Sequence, residues 1–557
     1  FNMASFNHAK YPPYPLVGLK NRSWPDKEIT KAPLWCSVDL RDGNQALIEP
    51  MNVSQKLQMF KLLVKVGFKE IEVGFPAASQ PDFDFVRKLV TDNLIPDDVT
   101  IQVLTQAREE LIARSFESLV GTKNAIMHLY NSTSTVQREQ VFGLDKAGIK
   151  KIATDGAKIV LEQAKKYPET KWKFEYSPES FTGTELEYAV DVCDEVLEIW
   201  DARPEAPCVI NLPATVEMAT PNIYADQIEW MSTHVSRREG VILSLHTHND
   251  RGCAVAAAEL GVMAGADRIE GTLLGNGERT GNMDIVTMAM NLYSQGIDPE
   301  LDFSNMDEII RCVKACTQLP VHPRHPYAGE LVFTAFSGSH QDAIKKCLAK
   351  RKPEDIWQVA YLPIDPSDLG RSYQEVIRIN SQSGKGGIAY VLEQERGLNI
   401  PRWLQIDFSA VVQGYAEMTE SEVAPDKIVS LFQSHYLETQ NPYQLISYEL
   451  SRKDGEDSLV VDLTYGSARV QLEGHAAGVV GAFVNAMQSH SGSEIVLVEY
   501  SEHTLSQEAG ADAEAVTYVQ LNINGQRYCG VGLSTDILEA SLRAILSAIN
   551  QPLNAEI

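Results

Sequence analysis

Two histidines at the end of one apolar segment are the side chains of this chain best suited to chemistry. His246 and His248 close the run Val-Ile-Leu-Ser-Leu-His-Thr-His, which begins at Val241. In a β-strand, residues two positions apart point to the same face, so both imidazoles can reach one point. Two imidazoles at one point favour the binding of a divalent metal ion. The alternative is a pair of solvated histidines at the mouth of a barrel, without a metal.

An Arg-Asp pair after the first apolar segment could complete such a site. Asp42 offers a hard oxygen ligand, and two imidazoles with one carboxylate leave open positions on a divalent ion. Those positions suit a 2-oxo acid that binds through its keto oxygen and one carboxylate oxygen. The ion would polarise the carbonyl, and the permanently charged Arg41 could donate to the same developing oxyanion. A salt bridge at the barrel mouth is the alternative role for Arg41.

Further polar groups follow other apolar segments. Glu179, in Glu-Tyr-Ser-Pro-Glu, is a candidate general base because a carboxylate near a carbon acid can take its proton. Orientation of a histidine is the alternative role for this carboxylate. The loop Gly275–Asn282 carries three glycines, which allow the backbone to approach a ligand closely. Asn282, at the end of that loop, could cap a helix or reach the metal.

The spacing of the apolar runs predicts the scaffold that must position these groups. Eight short apolar runs alternate with amphipathic segments such as Val53–Gly67 and Tyr188–Trp200. The runs are Leu34–Leu40, Glu70–Phe75, Thr100–Leu104, Ala125–Tyr130, Trp172–Tyr176, Val209–Leu212, Val241–Leu245 and Arg268–Leu273. Eight β-then-α units over about 250 residues are typical of a (β/α)8 TIM barrel, whose active site lies where the strands end. The alternative, a doubly wound open sheet, lacks its Gly-x-Gly-x-x-Gly after the first run.

The rest of the chain predicts a helical linker and a duplicated C-terminal unit. Linker helices are expected over Asp342–Lys352 and Ser372–Asn380. Beyond about Pro442, the blocks Tyr443–Gln488 and Glu494–Asn550 each read as two strands followed by a helix rich in small residues. Such a repeated α+β unit suggests a ligand-sensing or dimerising module. The predicted regions are an N-terminal extension (1–30), a catalytic barrel (31–328), linker subdomains (329–440) and a C-terminal regulatory domain (441–557).

Composition restricts the partners and the compartment. The length of 557 residues predicts roughly two to four domains. A net charge of −26 disfavours both nucleic acid and anionic membranes as partners. The chain has no apolar run of about 18 residues and no secretory pattern at its N-terminus. The eight cysteines are dispersed without a Cys-x2-Cys pair, which fits a reducing cytoplasm.

Four barrel motifs, in order along the chain, resemble one family of enzymes. They are Leu34–Gln45, Glu175–Thr182, His246–Asp250 and Gly275–Asn282. They resemble the acetyl-CoA-dependent Claisen-condensing metalloenzymes of the DRE-TIM metallolyase superfamily. The further segments Phe336–Ala343, Tyr361–Pro366, Asn380–Tyr390 and Gly530–Gly532 resemble the longer bacterial and fungal 2-isopropylmalate synthases in particular. The resemblance extends over essentially the whole chain.

This resemblance implies an activity, cofactors and an assembly. The implied reaction condenses acetyl-CoA with 3-methyl-2-oxobutanoate (2-oxoisovalerate) and water to give (2S)-2-isopropylmalate and CoA, the first committed step of leucine biosynthesis. A divalent ion (Mg, Mn or Zn) and a domain-swapped homodimer are implied, and activation by K+ is left open. Related enzymes that use another 2-oxo acid, citramalate or homocitrate synthase, are the alternative. The intact set Arg41, Asp42, His246 and His248 argues against a third possibility, a catalytically silent leucine sensor.

The same resemblance implies the site residues, each by its position in a motif. Ligands of the divalent ion are implied at Asp42, His246, His248 and Asn282. Contacts with the keto acid are implied at Leu104, His128, Tyr130, Ser177, Pro213 and Thr215. Catalytic roles are implied for Arg41 at the oxyanion, for Glu179 beside the reacting carbons, and for His340 and Tyr361, which would reach a partner's barrel. The general base is left open among Glu179, His340 and a relayed water.

One segment departs from the pattern of the family. The regulatory domain of the family commonly carries a Gly-Asn-Gly-Pro turn before an Ala-Phe-Val helix, and the resemblance implies L-leucine as feedback inhibitor. Here the segment is 473–484, Glu-Gly-His-Ala-Ala-Gly-Val-Val-Gly-Ala-Phe-Val, in which only Gly478 stands in place. A turn that needs positive φ tolerates alanine poorly. The C-terminal fold is therefore expected to be kept, with inhibition by leucine an open question.

Overall fold

The computed structural model describes residues 6–335, 337–373, 385–419, 423–438, 442–453, 455–505 and 514–555. The chain forms two compact units. The first unit comprises residues 1–332 and 364–371. The second comprises residues 333–363 and 372–557.

The first unit is built on a closed barrel of eight parallel strands, β1 to β8 in sequence order. They are β1 Leu34–Ser37, β2 Glu70–Gly74, β3 Thr100–Gln106, β4 Asn124–Ser132, β5 Lys171–Glu179, β6 Cys208–Ala214, β7 Val241–Thr247 and β8 Arg268–Gly271. The barrel closes where β1 pairs with β8, with Leu34 opposite Arg268 and Ser37 opposite Gly271. Each predicted apolar run forms a strand, so the predicted TIM barrel is confirmed.

Helices surround the barrel, one between each pair of consecutive strands and two more after β8. They are α1 Val53–Val66, α2 Gln80–Thr91, α3 Glu109–Ser118, α4 Lys146–Lys165, α5 Leu186–Ile199, α6 Pro221–His234, α7 Ala254–Met263, α8 Ile285–Tyr293 and α9 Met306–Thr317. The sequence encodes their ends locally: Asn52 and Gln55 form a capping box at the start of α1, and Gly67 ends that helix with φ of 116°. In the described part of the chain, no helix is both long and apolar enough to cross a membrane.

The first and last predicted strands both end earlier than the apolar pattern suggested. β1 stops at Ser37, and Asp39–Gly43 forms one π-helical turn instead. The turn is held because Asp39 accepts a hydrogen bond from Ser37 Oγ at 2.7 Å and from the backbone N–H of Leu273 at 3.0 Å. β8 stops at Gly271, since the chain then turns through Leu274, which has φ of 59°. These two turns lie side by side, because β1 and β8 are paired up to their last residues.

The second unit contains the linker helices and the duplicated C-terminal region. Its helices are α10 Gly338–Lys350, α11 Lys385–Arg396, α12 Arg402–Thr419, α13 Pro425–Phe432, α14 Val479–Ser491 and α15 Ile537–Ala555. α10 forms where the first linker helix was predicted, whereas all but the first two residues of the second, Ser372–Asn380, lie outside the described residues. The C-terminal strands are β9 Tyr443–Lys453, β10 Glu456–Tyr465, β11 Ala468–Ala476, β12 Ile495–Thr504, β13 Ala515–Ile523 and β14 Gln526–Ser534.

The C-terminal repeat has one more strand per copy than predicted. Each copy is a three-stranded antiparallel sheet followed by a helix, in the orders β11-β10-β9 and β12-β13-β14. The prediction of two strands was wrong because β10 and β11 are separated only by the tight turn at Tyr465–Ala468, which does not interrupt the polar-apolar alternation. The duplication itself is confirmed.

Glycines allow each C-terminal sheet to meet its helix at close range. A Cβ on Gly474 of β11 would lie 2.0 Å from the carbonyl oxygen of Ala482 in α14. A Cβ on Gly530 of β14 would lie 2.1 Å from the carbonyl oxygen of Ala544 in α15. Real side chains do not approach backbone this closely, so both copies require glycine facing the small residues of a helix.

We expect Gly530→Val to destabilise the second unit by about 3 kcal/mol, because helix α15 must move away from the sheet to admit the side chain. Gly414→Ala is the control, since Gly414 lies in α12 with open space around its Cα and alanine favours helix by about 0.5–1 kcal/mol. Differential scanning calorimetry of both variants checks this. An unchanged unfolding temperature for Gly530→Val would contradict the packing described.

Candidate metal centre and active site

Three potential metal ligands converge at the mouth of the barrel. The Nε2 atoms of His246 and His248 each lie 3.1 Å from Oδ2 of Asp42 and 3.3 Å from one another. All three side chains are buried. His246 is the last residue but one of β7 and His248 follows directly after the strand, so the spacing of the sequence places both rings on the inner face. Asp42 reaches them from the π-helical turn after β1.

Hydrogen bonds at the far side of each ring fix which nitrogen faces Asp42. Nδ1 of His246 donates to the Glu270 carboxylate at 2.8 Å. Nδ1 of His248 donates to the carbonyl oxygen of Thr215 at 2.6 Å. A carboxylate and a carbonyl oxygen can only accept, so these contacts place the proton of each ring on Nδ1. At His248 the 2.6 Å contact with Thr215 is shorter than the 3.3 Å separation from Arg279 Nη2. Each Nε2 is thereby turned toward the shared point, as in the carboxylate–histidine pairs that support metal sites.

Electrostatics keep Asp42 ionised although it is buried. Burial raises its pKa, but Arg41 and the two imidazoles lower it further, and the pKa ends well below its ordinary value. Arg41 donates from one guanidinium nitrogen to Asp42 Oδ1 at 2.8 Å and from Nε to Glu72. The guanidinium is almost fully buried between these carboxylates. Contacts with two carboxylates fix the direction of the guanidinium.

Asn282 fits the donor set of a divalent ion. Its Nδ2 donates to Asp42 Oδ2 at 2.7 Å and lies 3.3 Å from His246 Nε2. Its Oδ1 is buried and has no hydrogen-bond partner. An orphaned buried oxygen costs about 1–3 kcal/mol unless something else satisfies it. Two imidazole nitrogens and a carboxylate are ligand types that zinc, manganese and magnesium accept, so the residues present fit a divalent ion. The Asn282 amide presents its nitrogen to this cluster, and a turn of the amide group by 180° would present its oxygen instead.

The cluster opens into a cavity of about 290 Å³ inside the barrel unit. All six residues expected around the keto acid line it, namely Leu104, His128, Tyr130, Ser177, Pro213 and Thr215. Arg41, Asp42, Glu179, His246 and His248 line it as well. Sequence reasoning missed five further lining residues, Gln45, Phe75, Asn211, Glu278 and Arg279. The structure therefore brings the barrel residues of the predicted site together in one place.

A layer of buried charge supports the cavity from below. Glu72 accepts from His128 Nδ1 at 2.7 Å and from Gln102 Nε2 at 2.6 Å. Glu270 accepts from Arg268 at 2.9 Å, and Arg268 is fully buried. Glu72, His128 and Glu270 could also group around an ion, but Glu72 already pairs with Arg41 and Glu270 already pairs with Arg268. The signal for this layer was available in the sequence, because Glu-Ile-Glu and Arg-Ile-Glu place charges two apart inside otherwise apolar strands.

Glu179 is half-buried at the end of β5, where hydrogen bonds hold the strand end in place. Its carboxylate accepts a hydrogen bond from Ser132 Oγ at the end of β4. The next residue, Ser180, has φ of 60°, and its N–H donates to Thr215 Oγ1 at 2.9 Å. The contact of Glu179 with Ser132 and that of Ser180 with Thr215 thus hold the end of β5 at the cavity.

An arginine clasp secures the two loops that flank Glu179. Arg138 donates from both terminal nitrogens to the Glu185 carboxylate, at 2.8 and 2.9 Å. It also donates to the carbonyl oxygen of Thr133 at 2.8 Å. This bidentate contact lowers the pKa of Glu185 from 4.5 to about 2.

We expect Glu185→Gln to lower the stability of the barrel unit by about 1 kcal/mol near neutral pH, the range for a favourable exposed ion pair. Because the pKa of Glu185 is depressed on folding, the stabilisation is present above pH 4.5 and is lost as the pH falls toward 2. The two proteins should therefore converge in unfolding temperature on acidification, measured by circular dichroism. Glu187→Gln, at an exposed position in the same helix turn, is the control. A difference that is undiminished at pH 2 would contradict the clasp.

His340 and Tyr361 belong to the second unit, whereas the residues that line the cavity belong to the barrel unit. The two rings stack on each other, with centroids 4.0 Å apart and an interplanar angle of 26°. Tyr361 has φ of 64° and is 60% exposed. The chain therefore holds these two linker residues together as a pair.

The fold is a TIM barrel with a cluster of potential metal ligands at its mouth, and comparisons with known proteins specify the family. A family model described as HMGL-like matches residues 32–313. Models described as alpha-isopropylmalate synthase, post-catalytic domain-like, and as LeuA allosteric (dimerisation) domain match residues 330–393 and 422–553.

Curated relatives match along almost the whole chain. The 2-isopropylmalate synthase of Pseudomonas savastanoi pv. phaseolicola is 55% identical over 546 residues, which cover 98% of this chain and 97% of that protein. The 2-isopropylmalate synthase of Pseudomonas putida is 54% identical over 549 residues, with 98% of each chain covered. Among solved structures, a hydroxymethylglutaryl-CoA lyase from Pseudomonas aeruginosa has 18% identity and a TM-score of 0.42, over 53% of this chain and 95% of that one. The chain belongs to the 2-isopropylmalate synthase family.

Proposed function

We propose that the protein condenses acetyl-CoA with 3-methyl-2-oxobutanoate and water to give (2S)-2-isopropylmalate and CoA, the first committed step of leucine biosynthesis. The convergence of Asp42, His246 and His248 beside Arg41 in one cavity carries this proposal. Membership of the 2-isopropylmalate synthase family supports it over a related enzyme with another 2-oxo acid.

The chemistry of the cavity also favours a 2-oxo acid with an apolar side chain. Phe75, Leu104 and Pro213 supply apolar lining. Both arginines of the lining already have carboxylate partners, since Arg41 pairs with Asp42 and Glu72, and Arg279 pairs with Asp250 at 2.7 Å. A second carboxylate on the substrate, as in homocitrate synthesis, would lack an unpaired arginine there, whereas an isopropyl group needs none.

Asp42, His246, His248 and Asn282 would hold the divalent ion, as Mg²⁺, Mn²⁺ or Zn²⁺. When bound, the ion supplies Lewis-acid polarisation of the keto carbonyl. Arg41 is oriented by Glu72 and Asp42 and donates hydrogen bonds to the oxygen on which negative charge develops. His128 and Ser177, whose Nε2 and Oγ lie 2.7 Å apart, would contact the keto acid together with Thr215.

Carbon–carbon bond formation requires a base for the methyl group of acetyl-CoA. The base takes a methyl proton, and the resulting carbon nucleophile forms a bond to the keto carbon while the carbonyl π electrons move to oxygen. Water then cleaves the thioester and releases CoA, which makes the condensation effectively irreversible. Glu179 is the candidate on the barrel, His340 is the candidate on the linker, and a relayed water is the third.

His340 and Tyr361 would act on the barrel of a second copy in a domain-swapped homodimer. The exposure of Tyr361 and the stacking of the pair leave these side chains accessible to another chain. The match to a dimerisation domain supports the homodimer itself. Light scattering of the purified protein tests the dimer. Activity restored by mixing inactive Asp42→Ala and His340→Ala chains tests the exchange of linkers between copies.

L-leucine is proposed as feedback inhibitor through the C-terminal unit. Gly478 has φ of −157° and ψ of 154°, an extended conformation that any residue adopts, and a Cβ there would meet open space. None of the described residues of segment 473–484 has positive φ, so the alanines are compatible with this fold. Inhibition curves with leucine test this proposal, and rates measured with and without K+ test whether K+ activates the enzyme.

A cytoplasmic location is proposed as well. All eight cysteines are free thiols, which supports it.

The decisive experiment measures release of the CoA thiol from acetyl-CoA with a panel of 2-oxo acids and Mg²⁺, Mn²⁺ or Zn²⁺. We expect 3-methyl-2-oxobutanoate to give the highest kcat/KM, with 2-isopropylmalate as the product identified by mass spectrometry. Release with pyruvate but not with 3-methyl-2-oxobutanoate would contradict the proposed substrate. Absence of release with every acid and metal would contradict the reaction.

A further inference from the structure

We propose that a buried ion pair outside the cavity, Lys56 with Asp82, positions Phe75, and that Phe75 limits the size of the 2-oxo acid side chain. The inference rests on the proposed function and deepens it, because it assigns a specificity residue and the residues that hold it.

The ion pair joins the first turns of two neighbouring barrel helices. Lys56 of α1 donates to Asp82 Oδ1 at 2.5 Å, and its exposure is only 2%. Its ammonium group also lies 5.5 Å from the ring centre of Phe85. A buried lysine is tolerated only when it is paired, so the contact fixes the position of Asp82 strongly.

The other carboxylate oxygen of Asp82 holds the loop after β2. Asp82 Oδ2 accepts from the backbone N–H of Phe75 at 2.8 Å. Just before this contact, the pairing of β2 with β3 shifts register between Glu72 and Gly74. A Cβ on Gly74 would lie 3.0 Å from Asp82 Oδ2, so glycine allows the carboxylate to approach the backbone. A bulge followed by an anchored N–H re-aims the next side chain.

That next side chain, Phe75, lines the cavity. Its ring meets the ring of Tyr130 edge to face, with centroids 6.3 Å apart and an interplanar angle of 72°. Gly74 pairs with Val103, so the residues that follow them, Phe75 and Leu104, lie at the same height on neighbouring strands. Phe75, Leu104 and Tyr130 thereby form a wall of the cavity. Neither Lys56 nor Asp82 lines the cavity, so both would act as positioning residues.

The physical consequence concerns selectivity rather than chemistry. A rigid aromatic wall excludes a longer side chain by overlap, whereas a wall that can move admits it at little cost. One methylene in an apolar pocket changes kcat/KM by roughly 10–200-fold. Displacement of Phe75 should therefore alter the ranking of 2-oxo acids and leave the metal ligands untouched.

The test compares kcat/KM for 3-methyl-2-oxobutanoate with that for the longer 4-methyl-2-oxopentanoate. We expect Phe75→Ala to lower this ratio by about tenfold. Asp82→Ala should lower it by a similar factor, because Phe75 then loses its anchor. The double variant Phe75→Ala/Asp82→Ala should show no further change in the ratio, since non-additivity identifies residues that act through each other. Lys88→Met, which removes an exposed i,i+4 ion pair on the same helix α2, is the matched control with an unchanged ratio.

Asp82→Ala leaves the buried Lys56 without its partner and could therefore unfold the protein. The double variant Lys56→Met/Asp82→Ala removes both charges of the ion pair and allows the same ratio to be measured. Circular dichroism and bound metal content verify that each variant is folded and loaded. A wild-type ratio in a folded, active variant that lacks Asp82 would overturn the inference. Additive effects of the Phe75 and Asp82 changes would overturn it as well. Failure of the wild-type protein to release CoA would instead contradict the proposed function.

Discussion

His246→Ala is expected to reduce turnover by about a thousandfold or more and to weaken retention of the divalent ion. Removal of this ring takes away one of the three converging ligand atoms, and it leaves the buried Glu270 carboxylate without the N–H that it accepts at 2.8 Å. Loss of a residue that only supports a metal ligand already costs 10–100-fold in affinity, so loss of a ligand itself should cost more. Metal content by plasma mass spectrometry and kcat by CoA release measure the two effects separately.

His234→Ala is the matched control for this variant. His234 lies at the end of α6, where its ring stacks on Trp230 on the exposed side of the barrel unit. Its replacement should leave the metal content and the rate unchanged. Wild-type metal content and rate in the His246 variant would refute its assignment as a ligand.

Arg41→Lys is expected to lower kcat by about 10²–10³-fold, with a much smaller change in KM for 3-methyl-2-oxobutanoate. Lysine keeps the positive charge, but a single ammonium cannot reproduce the planar fork with which Arg41 contacts Asp42 and Glu72. The oxyanion would therefore lose a donor of fixed direction. If Arg41 served only to bind the substrate in its ground state, the substitution would raise KM and leave kcat unchanged.

Arg87→Lys serves as the control. Within the described residues, Arg87 donates hydrogen bonds to the backbone carbonyl oxygens of residues 118 and 120 and pairs with no carboxylate. Both variants are compared by full steady-state kinetics at saturating metal. Wild-type kcat in Arg41→Lys would contradict an oxyanion role for the guanidinium.

The number and order of the barrel strands could be predicted because they depend on local patterns. Alternation of apolar runs with amphipathic segments follows from the requirement that each strand be buried on both faces. The spacing of His246 and His248 directly encodes a shared face of β7. The contact of Asp42 with both rings could be anticipated only through the barrel geometry, since Asp42 lies more than two hundred residues away along the chain.

Other features depend on tertiary contacts that no local pattern encodes. The π-helical turn that carries Arg41 is held from β8 by the contact of Asp39 with Leu273. Phe75 read as the last residue of an apolar run, yet a register shift and an acceptor from α2 turn it into the cavity. The third strand of each C-terminal sheet was missed because its turn is short and polar.

The central claim is that Asp42, His246 and His248 bind the ion on which recognition of the 2-oxo acid depends. Isothermal titration of 3-methyl-2-oxobutanoate into the protein, first metal-free and then loaded with Mn²⁺, tests this claim most directly. We predict saturable binding to the loaded protein and a loss of binding after chelation, with the same loss in His246→Ala. Equal affinity of the metal-free and loaded proteins for the acid would contradict the account.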